Sequence, residues 1–367
     1  MFKLHAVQAQ FGDALVLEFG TARKRRFILV DGGPPGSFEA DLDAALKEIA
    51  GPGATLDLLV LSHVDNDHVI GVLDLLAAAE EDIADGRDPR VTIKGLWHNS
   101  FGRSIDPDGE ITQRIQQLMT LAGSAAVSMP FATDAFLGVR EGQKLGVMAR
   151  KLGIPINRGF DGDLILADTA KRPIPVNGLT VRVVGPSKAN LDALRKEWLA
   201  WLARAEADAA RDPGTAAMSD RSVPNLSSIV LHVAFAGRTA LLTGDARGDH
   251  IVQGLRRAGL LDAAGTCHVD VLKVQHHGSD RNADGGFFRT VTADTYVISA
   301  NGKYGNPDYD TLRWIVEAAD GRAIRLVVTN ETETTRKLLE THDPARHGYA
   351  MEVLPKGRHS IGVELAR

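Results

Sequence analysis

Hydrophobic and polar positions change period along this chain, and the changes mark the elements. Phe2–Gln8 and Ala14–Phe19 alternate in strand fashion, and Arg26–Val30 forms a third short strand that stops at Asp31-Gly32-Gly33. Leu42, Leu46 and Ile49 share one face of a helix predicted over Glu39–Ile49, and Leu56–Leu61 is a mostly apolar strand interrupted by Asp57. A helix over Val69–Ala79 and a strand over Val91–Trp97 follow, and residues 110–152 carry helical patterns broken by turn signals. A second set of strands is predicted at Leu164–Leu166, Leu179–Val184, Ser228–Phe235, Thr239–Thr243, Val269–Val274, Thr295–Ser299, Ile324–Thr329 and Ser360–Leu365. Helices are predicted over 189–210, His250–Ala258 and Asp310–Ala319, with an aperiodic loop over Arg211–Pro224. The result is two strand-rich halves with helices between them. No linker-like stretch divides them, so one domain over 1–367 is expected, with a helical insertion at 188–224.

Composition narrows the classes. Of 367 residues, 44% are hydrophobic and 24% charged, and 42 Lys and Arg against 47 Asp and Glu leave a formal charge of −5. That balance excludes a surface that coats nucleic acid by bulk charge, so an acidic substrate needs metal ions and a local basic rim. The densest basic run, Arg23-Lys24-Arg25-Arg26, lies in an expected turn and reads as a solvated loop or a phosphate-steering patch. Cys267 is the one cysteine, which rules out an intramolecular disulfide. Neither a signal peptide's apolar core nor the roughly 18–20 apolar residues of a membrane span is present, so a cytoplasmic location without membrane contact is expected.

The candidate chemistry collects where strands end. Leu61-Ser62-His63-Val64-Asp65-Asn66-Asp67-His68 packs four metal-capable side chains into six positions, directly after an apolar strand. Imidazole and carboxylate together suit a borderline divalent cation, and the density suits two such ions better than it suits a polar surface turn. Thr243-Gly244-Asp245 adds a carboxylate after a hairpin, either a ligand or a turn aspartate near a helix start. His276-His277-Gly278-Ser279 ends a buried strand. Adjacent side chains on an extended backbone point to opposite faces, so one of the two histidines is expected to be a direct ligand.

In order and content these segments resemble the metallo-β-lactamase fold superfamily. The nearer resemblance is to the soluble hydrolase domain of ComEC-type DNA-uptake proteins and their stand-alone relatives. It rests also on Gly12-Asp13-Ala14, Val30-Asp31-Gly32-Gly33, Lys273-Val274 and Ser299-Ala300-Asn301-x-x-Tyr304-Gly305-x-Pro307. The resemblance implies an α/β fold: a four-layer αββα sandwich of two mixed sheets flanked by helices, with a dinuclear site along one sheet edge. It implies that His63 and Asp65 serve one metal, that Asp67, His68 and His276 serve the other, and that Asp245 bridges them. Asp31 would fix a ligand imidazole from behind.

Departures from the superfamily pattern set the expected chemistry. Asp65 stands where most members have histidine, and Pro224-Asn225-Leu226-Ser227-Ser228 offers no further one. The oxygen-rich set favours Mn²⁺, with Zn²⁺ or Mg²⁺ as the other choices. Asn306 replaces a histidine common before the late proline; His98, at a strand end, either compensates for it or is a satisfied loop histidine. The implied activity is a metal-dependent phosphodiesterase or nuclease acting on a phosphoester or nucleic acid. The other reading is a carbonyl hydrolase acting on a lactone, thioester or β-lactam. Asp67 and His277 are the candidate catalytic groups, and Ser279, Asn301 and Lys303 the candidate substrate contacts. The helix carrying Trp198 and Trp201 either caps the mouth of the site or packs into the core.

Overall fold

Alternation along the strands places one face of each sheet against the other sheet and the opposite face against helices. The structure, a computed structural model, describes residues 1–122, 130–211 and 227–366. The strands are β1 Phe2–Val7, β2 Leu15–Thr21, β3 Lys24–Val30, β4 Ala54–Leu56, β5 Leu58–Val60, β6 Val91–Ile93, β7 Leu96–Trp97 and β8 Ile174–Val176. Eight more follow: β9 Leu179–Gly185, β10 Val230–Phe235, β11 Arg238–Leu242, β12 Cys267–Lys273, β13 Val291–Ile298, β14 Ile324–Val328, β15 Tyr349–Val353 and β16 Ser360–Ala366. One sheet has the order β16-β1-β2-β3-β5-β7, and the other β15-β14-β13-β12-β11-β10-β9-β8. Strands β4 and β6 form a separate parallel pair. Both large sheets are mixed: β1, β2, β3 and β16 pair antiparallel while β3, β5 and β7 run parallel, and β11 to β15 are parallel beyond an antiparallel β8–β11.

Phe2, Leu4, Leu15, Leu17, Phe19, Ile28, Val30, Leu58 and Val60 of the first sheet meet Val181, Val183, Leu231, Val233, Leu242, Val271 and Val297 of the second. Intervening residues such as Val16, Leu29 and Leu59 face outward into a core shared with helices, among them Asn66–Ala84 and Lys188–Arg211. On the second sheet Leu272, Tyr296, Ile298 and Leu326 pack under Gly248–Arg257 and Tyr309–Ala318. The layers are therefore helix, sheet, sheet and helix, the architecture expected.

Strand expectations change at Leu56–Leu61 and at Leu164–Leu166. The strand expected over Leu56–Leu61 breaks at Asp57, which is buried and binds Arg26 at 2.9 Å and Asn177 at 2.8 Å, so β4 leaves the main sheet. Leu164–Leu166 is not a strand. The Asn99 side chain instead brackets Ile165 as a strand neighbour would, accepting from its N–H and donating to its carbonyl. Trp198 and Trp201 are buried in the core, with Trp198 edge-on to Phe101 at 5.6 Å between centroids. Of the insertion expected at 188–224, Lys188–Arg211 is one helix, and 212–224 lie outside the described residues. Among the described residues no helix is long and apolar enough to cross a membrane.

A charge pair spans the two sheets where no water reaches it. Lys273, at the end of β12, is fully buried and its Nζ lies 2.5 Å from Asp13 Oδ2, in the loop between β1 and β2. Removing one partner of such a pair strands a charge in an apolar interior, whereas removing both restores balance. Lys273→Met is therefore expected to destabilise the fold by about 3–5 kcal/mol in urea melts, with Lys273→Met/Asp13→Leu recovering a large part of that loss.

His232 on β10, opposite Arg182 of β9, supplies a pH prediction. Burial first, then the Arg182 charge, lowers its pKa from 6.5 to about 4. In the unfolded chain it protonates near 6.5, so stability is fully present above that pH and falls as pH drops towards 4. His232→Leu is expected to remove a slope of up to about 1.4 kcal/mol per pH unit in that window, seen as a smaller difference between melts at pH 5 and pH 7.

Candidate metal centre

Strand ends deliver the site. The chain leaves β5 at Leu61-Ser62-His63 and enters the helix Asn66–Ala84 with Asp67 and His68 in its first turn, which brings all four clustered side chains to one mouth. Asp31, just past β3, has φ 60°, a left-handed conformation that turns its carboxylate back under this loop. It accepts from Ser62 N–H and Ser62 Oγ–H, both at 2.7 Å, and sits 2.9 Å from His68 Nδ1. Two glycines make the approach possible. A Cβ on Gly71 would lie 1.9 Å from the Gly32 carbonyl oxygen, and one on Gly12 would lie 2.0 Å from that of Asp67.

The second sheet supplies the rest. Asp245 follows β11 and is 3% exposed; its backbone N–H donates to Ser228 Oγ at 3.1 Å. After β12 the backbone at His276 and His277 is left-handed, with φ 48° and 56°, and Gly278 continues it at 86°. This corrects the extended geometry expected for the pair: the two imidazoles do not point to opposite faces. His276 Nε2 lies 3.8 Å and His277 Nε2 3.6 Å from the same Asp245 oxygen, Oδ2. They differ in depth. The His276 side chain is 37% exposed at the rim, whereas His277 is buried with Nε2 3.3 Å from Asp67 Oδ2.

Each buried imidazole of the cluster is held by Nδ1 and leaves Nε2 facing the other ligands. A carboxylate holds His68 Nδ1, the Ser299 carbonyl oxygen holds His277 Nδ1 at 3.0 Å, and the Ser62 and Ser228 hydroxyls hold His63 Nδ1 at 2.9 and 3.3 Å. A carbonyl only accepts, so His277 Nδ1 donates and a neutral His277 presents a lone pair at Nε2. Nε2 of His63, His68 and His277, together with Asp245 Oδ1, are buried without a hydrogen-bond partner. Unsatisfied buried polar atoms are costly unless something binds them. The atoms of His63, His68 and Asp245, and those of Asp67, His68 and His277, lie within 4.8 Å of one another. These nitrogen and oxygen donors fit divalent cations, and imidazoles held from behind in this way suit metal ligation.

The electrostatics agree. Burial alone would lower the His277 pKa, yet Asp245, Asp13 and Asp67 raise it to about 10. Burial likewise opposes charge on His68, but Asp245, Asp67 and Asp31 push it well above the ordinary value. Burial would raise Asp245, and the surrounding imidazoles, His68 foremost, hold it well below the carboxylate range. The pocket thus calls for positive charge.

The remaining sequence candidates fall around this centre. Asp65, at the helix N-cap position, has its Oδ2 3.6 Å from His63 Nε2 and a side chain 56% exposed. Ser279 is buried behind the turn, its N–H donating to His276 O at 2.8 Å. Asn301 donates to Gln10 Oε1 at 3.2 Å, and Lys303 Nζ sits 3.7 Å from the Phe11 ring centroid beside exposed Tyr304. His98 joins none of these ligand groups among the described residues. The sequence reading assigned no role to Asp13, Lys273 or Asn282. Asp13 Oδ1 lies 3.4 Å from His277 Nδ1, and Asn282 binds His276 Nδ1 at 2.5 Å while donating to the Asp245 carbonyl at 2.9 Å. The available signal was a lysine directly after the apolar pair Val271-Leu272 in a strand.

No curated protein matches the chain. Solved structures do resemble it, these three among them. The metallo-beta-lactamase fold protein YhfI from Bacillus subtilis has 10% identity and a TM-score of 0.43, covering 99% of both chains. A new diphosphatase from the PhnP family has 11% identity and a TM-score of 0.40, covering 99% of this chain and 98% of its own. A Cronobacter sakazakii metallo-beta-lactamase with a HARLDQ motif has 10% identity and a TM-score of 0.30, covering 84% and 85%. Likenesses this remote carry no argument about activity. A family model does match residues 10–112, the stretch holding Asp13, Asp31 and the whole His63–His68 cluster, and its description is Metallo-beta-lactamase superfamily. Residues 10–112 are therefore similar to the metallo-beta-lactamase superfamily, over the stretch that supplies Asp31 and the His63–His68 segment of the buried His/Asp centre.

Proposed function

We propose that this protein is a metal-dependent hydrolase of phosphodiesters, with nucleic acids among the candidate substrates. The observation that carries the reading is the convergence of three unsatisfied Nε2 atoms and one unsatisfied carboxylate oxygen in a single buried cluster. His63, Asp65 and Asp245 would hold one divalent ion, with Asp67, His68 and His277 holding a second and Asp245 shared. His277 takes the ligand role first given to His276, because it is the imidazole buried against Asp67. Two bound ions would supply Lewis acidity and a water of lowered pKa. Mn²⁺ suits the oxygen-rich first position, with Zn²⁺ or Mg²⁺ as the other choices.

The chain's own groups do the rest. Asp67 accepts a hydrogen bond from the attacking water and aligns it, since its carboxylate sits between the two histidines, 3.8 Å from His68 Nε2 and 3.3 Å from His277 Nε2. His276, steadied by Asn282, presents its ring at the rim where it can hydrogen-bond a substrate oxygen. Phe11, Lys303 and Tyr304 border the loop that packs on Asp67 and offer a cation beside two rings to an incoming anionic group. Asn301 and Ser279 brace that border and the histidine turn. The net charge of −5 is compatible with an anionic substrate because the positive charge is local.

The test is turnover of bis(p-nitrophenyl) phosphate by metal-stripped protein with and without added Mn²⁺. Turnover that requires the ion, and that Asp67→Ala lowers by about 10²–10⁴-fold, is expected. No turnover with metal shown to be bound would overturn the phosphodiester reading. Hydrolysis of a lactone or thioester by that same preparation would replace it with carbonyl chemistry, the second use to which such a centre can be put.

A further inference from the structure

His98 and its surroundings form a second polar cavity that the His/Asp cluster does not use. Strands β5 and β7 are parallel neighbours, with Leu61 N–H donating to Trp97 O at 2.9 Å, so His98 leaves the sheet beside Ser62 and His63. Asn157 clamps its backbone from outside, accepting from His98 N–H at 2.9 Å and donating to His98 O at 2.8 Å. The residue is thus fixed and only 5% exposed, yet its Nδ1 has no hydrogen-bond partner. A buried polar atom left unpaired by a backbone this well organised marks a place where something else binds.

The cavity that His98 lines measures about 540 Å³, within the range that takes a small organic ligand. Its polar lining is Ser100, Arg103, Gln143, Arg150 and Asn157, with no carboxylate, in a chain whose net charge is negative. Arg103 is held by the Gly162 carbonyl and by Asp163 at 2.9 Å. Arg150 has no carboxylate partner among the described residues, and its guanidinium lies over Gly146, where an added Cβ would be 3.5 Å from Nη1. Ile154, Pro155, Ile156 and Leu164 supply apolar walls. The field of the two arginines reaches the imidazole: burial first, then Arg103 and Arg150, lowers His98 to about pKa 4, so it is neutral at pH 7. The cavity also abuts the metal loop, since a Cβ on Gly142 in its wall would lie 2.9 Å from Val64 Cγ1, between His63 and Asp65.

We infer that this cavity is a binding site for a small organic anion, its oxyanion head held by Arg150, Arg103 and His98 and its apolar body against Ile154, Ile156 and Leu164. Guanidinium groups bind carboxylate and phosphate heads through paired, charge-assisted hydrogen bonds. The inference does not depend on the reaction run at the metal centre, because it is read by binding and not by turnover.

Isothermal titration of the full chain as purified with phenylphosphonate and with benzoate tests it, alongside Arg150→Gln and Gly146→Leu. The first variant removes the unpaired cation; the second fills the cavity from a helix and leaves the charges in place. At least one probe is expected to bind the unaltered protein, the stronger of the two showing which head the site prefers. Both variants are expected to weaken that probe by about tenfold or more, the loss of a charge-assisted contact, with metal content unchanged. Failure of both probes to bind the unaltered protein would overturn the inference. So would undiminished affinity in either variant that keeps the unaltered melting temperature, since any binding would then lie at the metal centre or elsewhere.

Discussion

One buried carboxylate organises this protein. Asp245 is 3% exposed, and four imidazoles face its two oxygens: His68 at 3.4 Å, His277 at 3.6 Å, His63 at 3.7 Å and His276 at 3.8 Å. A charge in that position is tolerable only with positive charge beside it, whether protons on the rings or a bound cation. Everything around it serves to hold the rings in place. Asp31 steadies His68, the Ser299 carbonyl steadies His277, and the Ser62 and Ser228 hydroxyls flank His63.

That arrangement needs both sheets. Asp31 and the His63–His68 segment come from the ends of β3 and β5, while Asp245, His277 and Ser299 come from the ends of β11, β12 and β13. Their relative placement is therefore set by how the sheets stack. The apolar interface between them supplies the adhesion, and the Lys273–Asp13 pair supplies a directional tie at the same end. Ser299 Oγ–H donates to the Gly12 carbonyl at 2.6 Å, which brings the loop carrying Asp13 to the histidine turn. Packing and site geometry are here the same constraint, since a slip between the sheets would separate ligands contributed by each.

The two strand-rich halves and the dense His63–His68 segment were legible because each rests on short-range pattern, while the layered architecture was implied by the resemblance. Alternation in Phe2–Gln8 and the apolar run at Leu179–Val184 report burial directly, and His63, Asp65, Asp67 and His68 lie too close together to be missed. What escaped depends on contacts distant in sequence. Asp57 looked like a lapse inside a strand, and its partners Arg26 and Asn177 lie 31 and 120 positions away. Lys273 looked like the end of a strand, with its partner 260 positions earlier. The histidine pair was misread for a local reason: two consecutive left-handed residues bearing a Cβ are costly and so unexpected, and alternation along a strand says nothing about them. The edge strands β8 and β15 were passed over as well, because half-exposed edges carry a weak apolar signal.

The central claim is that the cluster exists to hold divalent cations, and metal stoichiometry tests it most directly. Elemental analysis of the full chain, after equilibration with Mn²⁺ or Zn²⁺ and removal of free ion, should find about two ions per chain. With Asp245→Asn, which keeps the shape and removes the central charge, retention should fall sharply. A chain that retains no divalent ion, or that retains as much with Asp245→Asn as without it, would contradict the account.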